Sequence, residues 1–197
     1  MSESSYRLAV IVGSTRDGRF APTVAKWFTD QVARHGGIDV DLIDLDRHPL
    51  PVKLGGEPTA EDAAVLAEVS PRLEQADAFV VLTPEYNHSY PASLKTLIDL
   101  HYTQWRAKPV GFVSYGGLSG GLRAVEHLRP VFTELHAVPI REQISLHSPW
   151  GKFDEEGQHL DAAAGEDAAG AAKVMLDQLT WWALSLREAR AARPYGA

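Results

Sequence analysis

The amino-acid sequence predicts an α/β fold, a three-layer sandwich in which a five-stranded parallel sheet carries helices on both faces. Two observations lead there. Apolar, β-branched runs recur at residues 8–12, 40–43, 78–82 and 109–113, with a weaker one at 138–140. Three of the five are nearly continuous rather than alternating, as strands buried on both faces require. Between the runs, apolar residues return at intervals of three and four, the period of a helix with one buried stripe.

Each element has its own signal. After the first strand, Val24, Phe28 and Val32 mark a helix, and Pro22 suits its first turn. After the second come Val65, Leu66, Val69 and Leu73, preceded by Thr59 and Asp62 in capping-box spacing. The third helix carries Leu94, Leu97 and Ile98, with Ser89 placed to cap the helix containing Pro91. The fourth carries Leu122, Val125, Leu128 and Phe132; Pro130 within it predicts a kink or break, because an interior proline costs about 3 kcal/mol. A final helix is expected over roughly residues 163–191, with Met175, Leu179, Trp182 and Leu186 on one side. The stretch 150–166, rich in Gly, Asp and Glu, reads as a surface excursion, since only one helix follows it. One domain over residues 1–197 is therefore expected.

Composition excludes several classes of function. A chain of 197 residues with no run near the roughly 18 apolar residues of a membrane span predicts a soluble protein with one core. The first six residues lack the basic start and apolar centre of a secretory signal, so a cytoplasmic location is expected. The absence of cysteine excludes disulfides, thiol catalysis and thiolate zinc sites, leaving redox chemistry to a bound cofactor. A net charge of -7 disfavours nucleic acid and anionic membranes as partners, and an anionic ligand would need a local cationic pocket. The eight histidines are scattered without H-E-x-x-H, and neither Ser14 nor Ser119 sits in G-x-S-x-G. Trp181, Trp182 and the stretch from Tyr102 to Trp105 fit either core or a subunit interface.

Directly after the first strand comes Gly13-Ser14-Thr15-Arg16-Asp17-Gly18-Arg19-Phe20-Ala21, then Pro22 and a helix. In an open α/β sheet ligands bind at the carboxyl ends of strands, and a helix start offers free N–H groups and a positive dipole end. Ser14, Thr15, Arg16 and Arg19 can add donors and charge, while Ala21 cannot cap the helix and leaves its N–H groups open. A phosphate fits; so does a plain strand-to-helix turn. The loop is neither G-x-G-x-x-G nor a P-loop, which removes the dinucleotide and ATPase readings and leaves a monophosphate such as that of FMN.

The third strand leads into Thr83-Pro84-Glu85-Tyr86-Asn87, followed by Leu94-Lys95 and Ile98-Asp99. With Gly13-Ser14-Thr15-Arg16, this arrangement resembles the NADPH-dependent FMN reductase family, flavodoxin-like enzymes that include flavin, quinone, azo-dye and chromate reductases. The resemblance runs from about Leu8 to Leu135. It implies FMN as cofactor, NADPH or NADH as electron donor, a small-molecule electron acceptor, and a homodimer or homotetramer whose interface completes the flavin pocket. It also implies a cofactor site at Ser14, Arg16, Arg19, Phe20 and Ala21, at Pro84, Glu85, Tyr86 and Asn87, and at Ser114, Tyr115, Gly116 and Gly117, the last group bordering the pyrimidine edge of the flavin. The flavin would carry the chemistry, with no catalytic side chain. Relatives commonly have Ser and Asn where this chain has Arg19 and Ala21, so charge and main chain take a larger part here. A flavodoxin-like electron carrier that does not oxidise NAD(P)H is the rival reading, and an interaction domain without flavin is a third.

Overall fold

The computed structural model describes residues 5–53 and 55–196. Strand and helix alternate as β1 (Tyr6–Val12), α1 (Ala21–His35), β2 (Ile38–Asp44), α2 (Ala60–Gln75), β3 (Ala78–Pro84), α3 (Ala92–Leu100), β4 (Pro109–Gly116), α4 (Leu122–Glu134), β5 (Val138–His147) and α5 (Ala162–Ala192), with a short 3-10 turn at Thr103–Trp105. The sheet is parallel throughout, in the order β2-β1-β3-β4-β5. This is the flavodoxin-like order, in which the chain reverses direction across the sheet between β1 and β3 and opens a crevice at their carboxyl ends. No helix among the described residues is long and apolar enough to cross a membrane.

Each face of the sheet has its own core. Val10, Val12, Val80 and Val113 pack with Val24 and Phe28 of α1 and with Met175 and Leu179 of α5. On the other face Ile11, Val81 and Phe112 meet Leu73 of α2, Leu97 of α3 and Leu128 of α4. Burial on both faces explains the unbroken apolar runs: every residue of β3 and of β4 is buried. Trp105 is core, wedged between Phe79 and Phe132 with its indole N–H donated to the His101 carbonyl at 2.7 Å. Trp182 packs partly against the first core, whereas Trp181 is exposed.

Three local expectations are corrected. Pro130 neither ends nor interrupts α4, because it stands on the exposed face beside exposed Glu126, whose freed carbonyl can turn to water. Pro71 sits in α2 in the same way. Ser89 does not cap α3: Pro91 occupies the cap position, the main chain of Ser89 pairs with Tyr86, and its hydroxyl meets His127 Nδ1 at 3.0 Å. β5 runs to His147, well past the apolar stretch 138–140, because an edge strand tolerates the polar Arg141, Glu142 and Gln143; the irregular register between Val110 and Phe112 of β4 absorbs that segment. The Thr59–Asp62 capping box is present on α2. The excursion before α5 ends at Asp161, whose carboxylate caps the helix at the Ala164 N–H.

Candidate functional site

The loops that follow β1, β3, β4 and β5 meet at one end of the sheet, and glycines let them come this close. A Cβ on Gly13 would lie 2.5–2.9 Å from the Leu94 side chain, so this glycine permits α3 to lean against the first loop. Ser93 at the start of α3 donates its hydroxyl to the Gly13 carbonyl at 2.5 Å. Gly121 has φ +86°, and a Cβ there would sit 2.7 Å from Ser114 Cβ and 2.8 Å from the Tyr115 nitrogen. Ser114, fully buried, donates to the Gly120 carbonyl at 2.9 Å and so spends its hydroxyl on the loop's own shape. Gly116 is buried, while Gly117 beyond it is open, with nothing within 4 Å of its Cβ position.

In the first loop Ser14 is fully buried and its Oγ lies 2.6 Å from the Tyr86 hydroxyl. This single bond brings together two of the segments that the sequence marked, 72 residues apart. Phe20 precedes α1 without a side-chain cap, and Pro22 has no N–H to offer. The first turn therefore presents its remaining N–H groups to the loop. Ala21 is buried, and Arg16 is exposed with no ion pair among the described residues. Arg19 is differently placed. Its guanidinium grips Asp44 at the end of β2 with two bonds of 2.6 and 2.8 Å, reaches Asp46 at 3.0 Å, and donates to the Ser14 carbonyl at 2.8 Å. Desolvation works to raise the Asp44 carboxyl, but Arg19 and the Asp46 N–H outweigh it and hold the group below its usual range. Arg19 thus braces the loop, and Arg16 is the loop's uncommitted cation.

After β3, Tyr86 and Ser89 exchange main-chain bonds of 2.8 and 3.1 Å around Asn87 and His88. Both central residues have positive φ, +49° and +75°, the pattern of a tight turn that glycine usually supplies. Two such non-glycine residues side by side store backbone strain, of order 1–3 kcal/mol each, in the segment nearest the crevice. Pro84 belongs to β3 and is buried, paired in register with Tyr115. Glu85 turns its side chain away from solvent to accept from the Ser119 hydroxyl and, at 3.0 Å, from Arg123 at the start of α4. Its desolvation works to raise the carboxyl, yet the two donors prevail and hold it below the ordinary carboxylate range. Glu85 therefore ties the third-strand loop to the glycine loop after β4.

Tyr115 is 3% exposed, and its ring meets Phe20 edge-on at 6.3 Å. Burial pushes its phenol far up, with the Ser14 hydroxyl offsetting part of the effect. Its oxygen has no hydrogen-bond partner of good geometry.

All thirteen residues marked in the sequence thus lie on the three strand-end segments, though they divide by role. Ser114 and Arg19 hold protein groups; Glu85 does so through its side chain. Ser119, Arg123, Asp44 and Asp46 were not marked, and they are the partners that fix the marked residues. Only the acids closing the second apolar run hinted at any of them.

The matched region covers this whole site: residues 6–151 fit the model of NADPH-dependent FMN reductases. The chain belongs to that family. It is 30% identical over 178 residues to an FMN-dependent NADPH-azoreductase of Staphylococcus haemolyticus, covering 86% of this chain and 91% of that protein. It is 31% identical over 196 residues to a probable NADPH:quinone oxidoreductase of Oryza sativa subsp. japonica, covering 94% and 93%. An NAD(P)H-dependent FMN reductase of Schizosaccharomyces pombe shares 36% over 125 residues, which is 58% of this chain and 60% of that protein. Among solved structures, a flavoenzyme NAD(P)H:(acceptor) oxidoreductase from Paracoccus denitrificans superposes with a TM-score of 0.68 at 20% identity, over 88% of this chain and 97% of that one, a likeness of fold.

Proposed function

We propose that this FMN reductase family member is an FMN-dependent NAD(P)H oxidoreductase that holds its flavin at the carboxyl ends of β1, β3 and β4. The observation that carries the reading is the convergence there of an uncapped helix start, an uncommitted Arg16 and two loops narrowed by glycine. These features fit FMN. A phosphate monoester suits the first turn of α1, where N–H groups, the helix dipole and Arg16 favour a dianion in a protein of net charge -7. At the same place the buried Tyr115 hydroxyl lacks a hydrogen-bond partner among the described residues. Pro84, Tyr86 and the main chain of Glu85 to Asn87 would line one side of the ring, with Gly116 and Gly117 approaching its pyrimidine edge through main-chain N–H groups.

When bound, FMN would take a hydride from NAD(P)H and pass electrons to a small acceptor such as a flavin, quinone or azo compound. The chain's own residues position and tune. Glu85 keeps the two ring-facing loops at fixed separation through Ser119 and Arg123, and Arg19 keeps the phosphate loop shut against β2. No side chain need act as acid or base for hydride transfer. A homodimer or homotetramer would complete the outer wall of the pocket. The named relatives, an azoreductase and a quinone oxidoreductase, support the range of acceptors.

The test is anaerobic mixing of the FMN-loaded protein with NADPH and, separately, NADH. Rapid loss of the oxidised flavin's visible absorbance is expected. Tight FMN binding without that loss would turn the reading into an electron carrier; no FMN binding at all would refute both.

A further inference from the structure

Three hydroxyl groups from three different segments gather beneath the first loop: Ser14 after β1, Tyr86 after β3 and Tyr115 near the end of β4. Ser14 and Tyr115 are 0% and 3% exposed, and Tyr86 is half-buried. One bond, Ser14 Oγ to Tyr86 Oη at 2.6 Å, uses one of the three protons. Tyr115 Oη is enclosed and has no hydrogen-bond partner among the described residues, which is uncommon for a buried hydroxyl.

The placement is fixed. The Tyr115 main chain is registered between Pro84 of β3 and Leu146 of β5, and its ring abuts Phe20, the residue that opens α1. The phenol is therefore carried to the helix start by a strand paired on both sides. The groups that act on it are the Ser14 hydroxyl, the Tyr86 phenol and the Arg19 guanidinium, the last already held by Asp44 and Asp46. What such a cluster lacks is an acceptor with several oxygens and no proton to give, which describes a phosphate dianion.

Resting on the proposed FMN site, we infer that the Tyr115 hydroxyl donates to the flavin phosphate, which takes over Ser14 when the Tyr86 hydroxyl swings aside. Tyr86 is the partly exposed member of the set, whereas Ser14 and Tyr115 are buried, so it is the side chain free to yield. Tyr115 then acts as a phosphate-specific binding residue, and Tyr86 as a cover whose bond to Ser14 is exchanged for the ligand's. The phenol stays protonated and neutral in both states, as its burial demands. Riboflavin, which has the same ring and ribityl chain without the phosphate, would gain nothing from it.

The experiment uses flavin-free wild type and Tyr115→Phe, titrated with FMN and with riboflavin by quenching of flavin fluorescence, together with thermal unfolding in the absence of flavin. The expected result is an FMN Kd raised on the order of tenfold, the loss of one hydrogen bond to a charged group, with the riboflavin Kd unchanged. Unliganded Tyr115→Phe should melt at or above the wild-type temperature, because it removes a buried hydroxyl that had no partner. Equal weakening for both flavins would mean that Tyr115 only packs against the ring, and unchanged binding of both would leave its hydroxyl with no part in recognition; either overturns the inference. Wild type that binds no FMN would instead bring down the proposed function, and this inference with it.

Discussion

Lys108 offers a pH experiment whose size can be worked out beforehand. It lies just before β4 and is 6% exposed, with its ammonium donating to the Leu73 and Glu74 carbonyls at the end of α2, at 3.1 and 2.7 Å. Burial depresses its pKa from 10.5 to about 8, with a smaller push from Arg190 and an opposing pull from Glu74 and Asp77. A folded-state value below the unfolded one means that the unfolded chain binds more protons between the two. Stability must therefore rise as pH climbs from about 8 towards 10.5. Integrating over that interval, the group contributes a gain of about 2 kcal/mol between roughly pH 7 and pH 9.5. The range should stop below pH 10, because Tyr6, raised to about 12 by burial, begins to lower stability once unfolded tyrosines ionise. Urea unfolding of wild type and Lys108→Met at both pH values isolates the contribution. The wild type should gain about 2 kcal/mol relative to the variant, whatever their difference at neutral pH. Parallel pH profiles would refute the argument and show that the Leu73 and Glu74 carbonyls fully replace water around the ammonium.

Other expectations follow from the loops. Gly121→Ala places a Cβ 2.7 Å from Ser114 Cβ at φ +86°; it should cost about 3 kcal/mol in urea unfolding, whereas Gly117→Ala, with open space around it, should stay within about 0.5 kcal/mol. Arg16→Ala should raise the FMN Kd about tenfold with little change in melting temperature, since Arg16 is exposed and makes no ion pair among the described residues; an unchanged Kd would move the phosphate away from it.

The parts of this protein that could be read from sequence are those whose signal is local. β3 and β4 announce themselves because both faces are buried, so their apolar character is unbroken over residues 78–82 and 109–113. The Thr59 capping box and the start of α1 at Pro22 depend on neighbours within a few positions. What was hidden depends on distant partners or on exposure. Ser89 has the composition of a cap, yet a strained turn at Asn87 and His88 claims its main chain first. Pro130 should disrupt a helix in isolation, but on the wet face the Glu126 carbonyl that it leaves without a donor can bind water, and α4 continues through it. β5 conceals its length because the edge of a sheet does not demand apolar residues. In the site, the segment 83–87 was legible through its motif, whereas the roles within it were not. Glu85 meets Ser119 and Arg123 across 34 and 38 residues, and no spacing rule predicts that closure.

Asp77, just ahead of β3, receives Arg187 and Arg190 of α5 at 3.3 and 3.4 Å, while Arg190 also donates to the Ala107 carbonyl at 2.6 Å and Arg187 to that of Ser5 at 2.8 Å. With Lys108 beside them, these bonds staple the long last helix to the amino ends of three central strands. The opposite pole, where the crevice lies, is built of loops, from the five residues after β4 to the fourteen after β5. Such a division keeps the anchoring of the scaffold apart from the crevice, so that a change in a crevice loop need not disturb the bonds that secure the last helix.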